Sequence, residues 1–172
     1  MSNLTLIAPF QTLSINEAVG SGFTHKATFT MNDCNAVPAA TTGSQEWNLM
    51  LLGAGYVVQS VAIYVVTPLV FSNASIVIGE LTVGDGSATT TYFATAANQK
   101  VQGTGATSSV ATGACYITTT TTPVAYAVAT NAQLNMTLTV TTGQALNTAT
   151  AGEVDIYFKI ANLAQLAYPQ SN

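Results

Sequence analysis

Two stretches toward the C-terminal end alternate apolar and polar residues so regularly that little freedom of local structure remains. In Glu153-Val154-Asp155-Ile156-Tyr157-Phe158-Lys159-Ile160, the residues Val154, Ile156, Phe158 and Ile160 share one face, and Glu153, Asp155, Tyr157 and Lys159 share the other. Successive side chains of a strand point to opposite sides, so period two predicts a strand with one buried and one solvated face. Leu134 to Thr141 repeats the pattern, with Leu134, Met136, Leu138 and Val140 inward and Asn135, Thr137, Thr139 and Thr141 outward. Threonine suits the outer positions because its branched carbon favours the pleated backbone while its hydroxyl meets water.

A third stretch is apolar on both faces. From Tyr56 to Val66, the residues Val57, Val61, Ile63 and Val65 lie on one side and Val58, Ala62, Tyr64 and Val66 on the other. Such a strand is expected to be central and covered on both sides, or covered by another subunit. Val58, Ala62, Tyr64 and Val66 are therefore the candidate interface toward another subunit. Gly53-Ala54-Gly55 supplies the turn before this strand, and Thr67-Pro68 is expected to end its ladder.

Further strands are expected at Lys26 to Met31, Ser75 to Glu80, Thr90 to Ala94, Cys115 to Thr120 and Val124 to Thr130. Turn signals at Asn32-Asp33, Ser72-Asn73, Gly84-Asp85-Gly86, Gly103-Thr104-Gly105, Gly113 and Pro123 separate them. Gln45 to Leu52 and Ala161 to Ala167 are the two stretches that could form a helical turn. Short strands with few helices indicate an all-β chain, a single-domain antiparallel β-sandwich over residues 1–172. Residues 1–22 are expected as an extended N-terminal arm and 161–172 as a C-terminal tail. The five-threonine run Thr118 to Thr122 and the simple stretch Ala106 to Gly113 are too short to be linkers.

Charge narrows the function. Only 6% of the 172 residues are charged, with three Lys, no Arg and a formal net charge of -4, against 48% hydrophobic residues. No basic stripe can be drawn to neutralise phosphates, so nucleic acid and anionic membrane surfaces are not expected partners. No apolar run reaches the roughly 18 residues of a membrane helix, and Met1 to Ile7 lacks the basic and apolar regions of a secretory signal. So little charge protects a monomer poorly against association, which points to burial by partners.

Candidate chemistry is sparse. His25 is the sole histidine, so a nucleophilic triad has one possible base, and an exposed or hydrogen-bonded strand residue is the expected role. Glu153 and Asp155 stand at same-face strand spacing, as a glycosidase pair would, but on a face where charges belong anyway. Gly84-Asp85-Gly86 with Glu80 lacks the spacing of a calcium loop and reads as a tight turn. Gly53-Ala54-Gly55 and Gly103-Thr104-Gly105 lack the third glycine of a dinucleotide fingerprint. Cys34 and Cys115 are expected as two free, buried thiols rather than a disulfide. Sequons at Asn3, Asn73 and Asn135 are what a Thr-rich chain produces by chance. Trp47 and the seven Tyr could line a sugar site, although their scatter along the chain favours core and interface roles.

The order of segments carries a resemblance. Ala54-Gly55-Tyr56-Val57-Val58, then Val61-Ala62-Ile63-Tyr64-Val65-Val66-Thr67-Pro68, then Ile76-Val77-Ile78-Gly79, and finally Ala151-Gly152-Glu153-Val154-Asp155-Ile156-Tyr157 follow one another. This order resembles small tailed-bacteriophage virion proteins of the head decoration or cement type, over roughly residues 50 to 160. One departure is that Glu80 is followed by Leu81-Thr82-Val83-Gly84-Asp85 where an acidic turn usually follows. The resemblance implies a jelly-roll-like sandwich with no catalytic residues to transfer, and the sparse candidate chemistry leaves no enzymatic activity, cofactor or metal expected. It also implies a homotrimer that binds the major capsid protein on the outer surface of the virion, after synthesis in the host cytoplasm. The competing expectation is a head-fibre, tail-fibre or adhesin module that recognises a host-surface glycan.

Overall fold

The two alternating stretches become the middle strands of two sheets. In the computed structural model, which describes residues 3–5, 11–84, 91–94, 101–103, 110–117, 126–127, 132–140 and 144–162, the chain is an all-β sandwich. Its strands are β1 (Asn3–Thr5), β2 (Gln11–Thr12), β3 (His25–Thr30), β4 (Gln45–Leu52), β5 (Tyr56–Phe71), β6 (Ile78–Gly84), β7 (Thr91–Ala94), β8 (Cys115–Ile117), β9 (Tyr126–Ala127), β10 (Ala132–Val140) and β11 (Ala149–Asn162). Two short helices, α1 (Ile15–Ser21) and α2 (Met31–Asn35), complete the described elements. The first sheet has the order β1-β4-β10-β6-β7 and the second β2-β3-β11-β5-β8, with β9 also pairing β5. All pairings are antiparallel except β1 beside β4.

The core fills the space between the sheets. Trp47, Leu81, Val83, Leu134, Met136 and Leu138 from the first sheet meet Phe29, Val61, Ile63, Val154, Ile156 and Phe158 from the second. Phe29 and Trp47 cross from sheet to sheet edge to face, with ring centroids 4.9 Å apart and planes at 72°, an arrangement favoured by the aromatic quadrupole. Trp47 is wholly buried, so it is a core residue and no part of a sugar site.

Several expectations are corrected. Gln45 to Leu52 is strand β4 rather than a helical turn, because Gln45, Trp47 and Leu49 turn inward while β1 and β10 pair with its two edges. β5 does not stop at Thr67-Pro68. It runs on to Phe71, and its ladder with β11 carries register shifts between Ala151 and Glu153 and between Ala149 and Ala151. Thr67 and Val70 are the paired residues there, which leaves Pro68 at an irregularity where its missing N–H does no harm. Leu69 donates instead to the carbonyl of Val101 at 2.8 Å. The strand expected at Ser75 to Glu80 is displaced to β6, because Asn73 captures the N–H of Ser75 in a turn. The strand starting at Lys26 ends at Thr30, where α2 begins; the Asp33 carboxylate accepts from Thr30 N and Oγ1 and holds that corner.

The first 22 residues are not simply an extended arm. β1 and β2 join the two sheets, and α1 follows Ser14, which forms a reciprocal capping box with Glu17. The helix ends at Gly22, whose φ of 76° suits a residue without a Cβ. Of the remaining expected strands, Thr118 to Thr120 and most of Val124 to Thr130 lie outside the described residues, as do Thr90 and the tail beyond Asn162.

Candidate functional site

The outward face of the second sheet carries the most chemistry. Its register places Lys26, Tyr157, Ala62 and Ile117 in one row across β3, β11, β5 and β8. Thr28, Asp155, Tyr64 and Cys115 form the neighbouring row. Their sequence neighbours Ala27, Phe29, Ile63, Ile156 and Phe158 belong to the core, so both rows face away from it.

Ala62 is the smallest side chain in its row, and a hollow of about 390 Å³ opens beside it. Tyr157, Tyr64, Ile117 and Cys115 surround its sheet side, and Leu13, Phe23 and the α1 residues Glu17 and Ser21 wall it from above. The N-terminal segment thus covers part of the second apolar face of β5, for which cover within the chain or by another subunit was expected. The Phe23 and Tyr157 rings pack at 5.8 Å, tilted by 48°.

Lys26 at the hollow is paired with an opposite charge, whereas Glu17, which also lines it, is hydrogen-bonded by the neutral Ser14. Lys26 Nζ lies 3.2 Å from Asp155 Oδ2, Thr28 Oγ1 donates to Asp155 Oδ1 at 2.6 Å, and the Tyr157 hydroxyl donates to Oδ2 at 3.3 Å. Asp155 is only 6% exposed, although the alternation placed it on a solvated face. Burial pushes the Tyr157 phenol up to about 12, aided by the negative charge of Asp155 and the hydrogen bond to it. Glu17 accepts from Ser14 Oγ at 2.7 Å and Ser14 N at 3.1 Å. These hydrogen bonds, with Lys26 adding to them, hold its carboxyl below the usual range. The Tyr64 hydroxyl has no hydrogen-bond partner among the described residues, and the exposed Cys115 thiol is free.

The candidate interface residues separate. Val58 is 0% exposed and belongs to the core, because the register shift between Lys159 and Ile160 turns it to the same side as Val61. This corrects its assignment to the outer face. Ala62 and Tyr64 do lie outward, at the hollow, whereas Val66 is half-buried at the next shift, where Val65 and Thr67 are the paired residues. Cys34 is buried as expected, and burial drives its thiol far up, with Asp33 adding to the effect. Cys115 is not buried, because β8 has β5 as its one described neighbour.

The catalytic candidates do not converge. His25 Nδ1 lies 2.8 Å from Thr24 Oγ1, and burial lowers its affinity for a proton. The Asp155 carboxylate is engaged by Lys26, Thr28 and Tyr157, and Glu153 does not line the hollow. Glu80 sits in β6 of the other sheet, and Asp85 and Gly86 lie outside the described residues. No three His, Cys, Asp or Glu side chains cluster as metal ligands among the described residues, and no described helix is long and apolar enough to cross a membrane. Sequence reasoning missed the wall formed by Leu13, Glu17, Ser21 and Phe23. The capping box Ser14-Ile15-Asn16-Glu17, followed by Gly22, was the signal that could have found it.

No family model, no curated protein and no solved structure matches this chain.

Proposed function

We propose that the chain is a structural virion protein of a tailed bacteriophage, a jelly-roll-like decoration or cement protein that assembles on the outer coat lattice rather than catalysing a reaction. The observation that carries this reading is the outward face of the second sheet. There a hollow lined mainly by apolar and aromatic side chains lies beside Tyr64, 37% exposed, and Ile117, 57% exposed. Clustered apolar exposure suits a protein surface better than water. A protein spanning the junction between coat subunits adds free energy that must be lost before the shell opens, and each further attachment is effectively intramolecular. The low charge of the chain and the segment order that resembles head decoration proteins support the same reading, with a trimer as the expected assembly.

Imaging of the native particle by cryo-electron microscopy tests this proposal. It predicts the chain at a stoichiometric lattice position on the head, clamped across major capsid protein subunits. Density for the chain on the tail alone would overturn it.

The second reading is recognition of a host-surface glycan, favoured by the three aromatic rings of Phe23, Tyr64 and Tyr157 at the hollow. A sugar needs many hydrogen-bonding groups as well as a stacking face, and here Lys26, Asp155, Glu17 and Ser14 bond to one another or to nearby residues. A glycan array returning saturable hits that Tyr64→Ala abolishes would move the assignment to this reading.

A further inference from the structure

We infer that Glu46, Asn48 and Asn135, on the outward face of the first sheet, form a binding site for a calcium ion. The three residues meet because β10 lies antiparallel beside β4, with Asn135 directly opposite Asn48 and Thr137 opposite Glu46. Trp47, between the two β4 residues, is wholly buried in the core, as are Leu134 and Met136 on either side of Asn135. Glu46, Asn48 and Asn135 therefore face away from the core.

Asn135 is only 6% exposed on that face, and its Nδ2 donates to Glu46 Oε1 at 2.5 Å. The carboxylate fixes the orientation of the amide, because an amide oxygen turned toward it would be repelled. Asn135 Oδ1 is thereby held in a buried place with no hydrogen-bond partner, and Asn48 Oδ1 is buried without one as well. Two such oxygens on facing residues, beside a carboxylate that makes no ion pair among the described residues, call for one shared positive charge. The donor set is all oxygen, which selects a hard cation. Calcium accepts amide and carboxylate oxygens in irregular sets of about six to eight and completes them with water, whereas magnesium demands a near-ideal octahedron. A single carboxylate makes the site weak, with a Kd on the order of 10⁻⁴ to 10⁻³ M.

The purified full chain, freed of cations by chelation and held at constant ionic strength, tests the site. About 10 mM calcium should raise the thermal unfolding midpoint by roughly 3 to 6 °C, and magnesium should raise it clearly less. Glu46→Gln, which keeps the shape of the side chain, should weaken calcium binding in calorimetry by roughly tenfold or more. Asn135→Asp sets a second carboxylate beside Glu46. Without calcium this variant should unfold below the parent chain, and calcium should bind it roughly tenfold more tightly and restore its stability. If Asn135 serves only as a donor to Glu46, or if water bridges the two amides, calcium will neither shift the parent chain nor rescue Asn135→Asp, and the site is overturned. Equal shifts with calcium and magnesium would mark diffuse attraction to Glu46 and overturn it too. Should Asn135→Asp fail to fold in either condition, the calorimetric loss in Glu46→Gln decides. None of these outcomes bears on the position of the chain on a particle, which imaging tests separately.

Discussion

Asp155 shows how one buried carboxylate organises a surface. It joins Lys26 on β3, Thr28 on the same strand and Tyr157 on its own strand, tying β3 to β11 on the side away from the core. Removing it leaves a half-buried ammonium and two hydroxyls without their acceptor. Asp155→Ala should therefore cost about 2–3 kcal/mol in urea unfolding, and Lys26→Met about 1 kcal/mol or less, because Thr28 and Tyr157 still satisfy the carboxylate. Equal losses for the two variants would contradict this asymmetry. Tyr157 gives the pH dependence. Its folded-state value of about 12 lies above the ordinary 10.0, so the stability it contributes is intact below pH 10 and is lost as pH rises through 12. Urea midpoints measured across that window should fall less steeply for Tyr157→Phe than for the parent chain. The alternation identified the face on which Asp155 and Tyr157 lie. It could not show that the face is partly covered, because period two reports direction and not what sits above.

At the scale of elements, the long pair β5 and β11 determines the shape of the second sheet, and its irregularities determine which residues reach the hollow. Gly152 sits at one of them with φ of 146°, and a Cβ there would lie 2.3 Å from Leu69 Cδ2 and 3.1 Å from Leu69 Cα. Gly152→Ala combines a disfavoured backbone with a collision against buried Leu69, and it should cost roughly 2–4 kcal/mol. A loss below about 0.5 kcal/mol in thermal or urea unfolding would show that Leu69 yields freely. The strands of highest contrast, β10 and β11, were legible because each has one apolar face in the core. Val58 was misassigned because a bulge reverses the parity of every residue beyond it, and nothing local in Val57-Val58-Gln59-Ser60 signals the shift. β4 was read as a possible helical turn although Gln45, Trp47 and Leu49 alternate, since its pairing with β1 and β10 is non-local. α1 was missed although Ser14 and Glu17 carry its capping box, because residues 1–22 were read as an extended arm.

For the whole molecule, the account links scarce charge to function. With three Lys and seven acidic residues in 172, ionic contacts cannot supply most of the energy of association. Apolar burial at about 25 cal/mol per Å² can, and it is indifferent to screening. The fold class was readable from periodicity and turns, whereas the hollow was not, since it needs residues from the N-terminal segment and four strands to meet. Sedimentation equilibrium of the purified chain at low salt and at roughly molar salt, where the Debye length shrinks to about 3 Å, tests the central claim most directly. The account predicts an assembly of more than one chain under both conditions, unchanged or strengthened by salt. A monomer throughout would contradict assembly as the working principle, and dissociation on adding salt would contradict the apolar contact assigned to it.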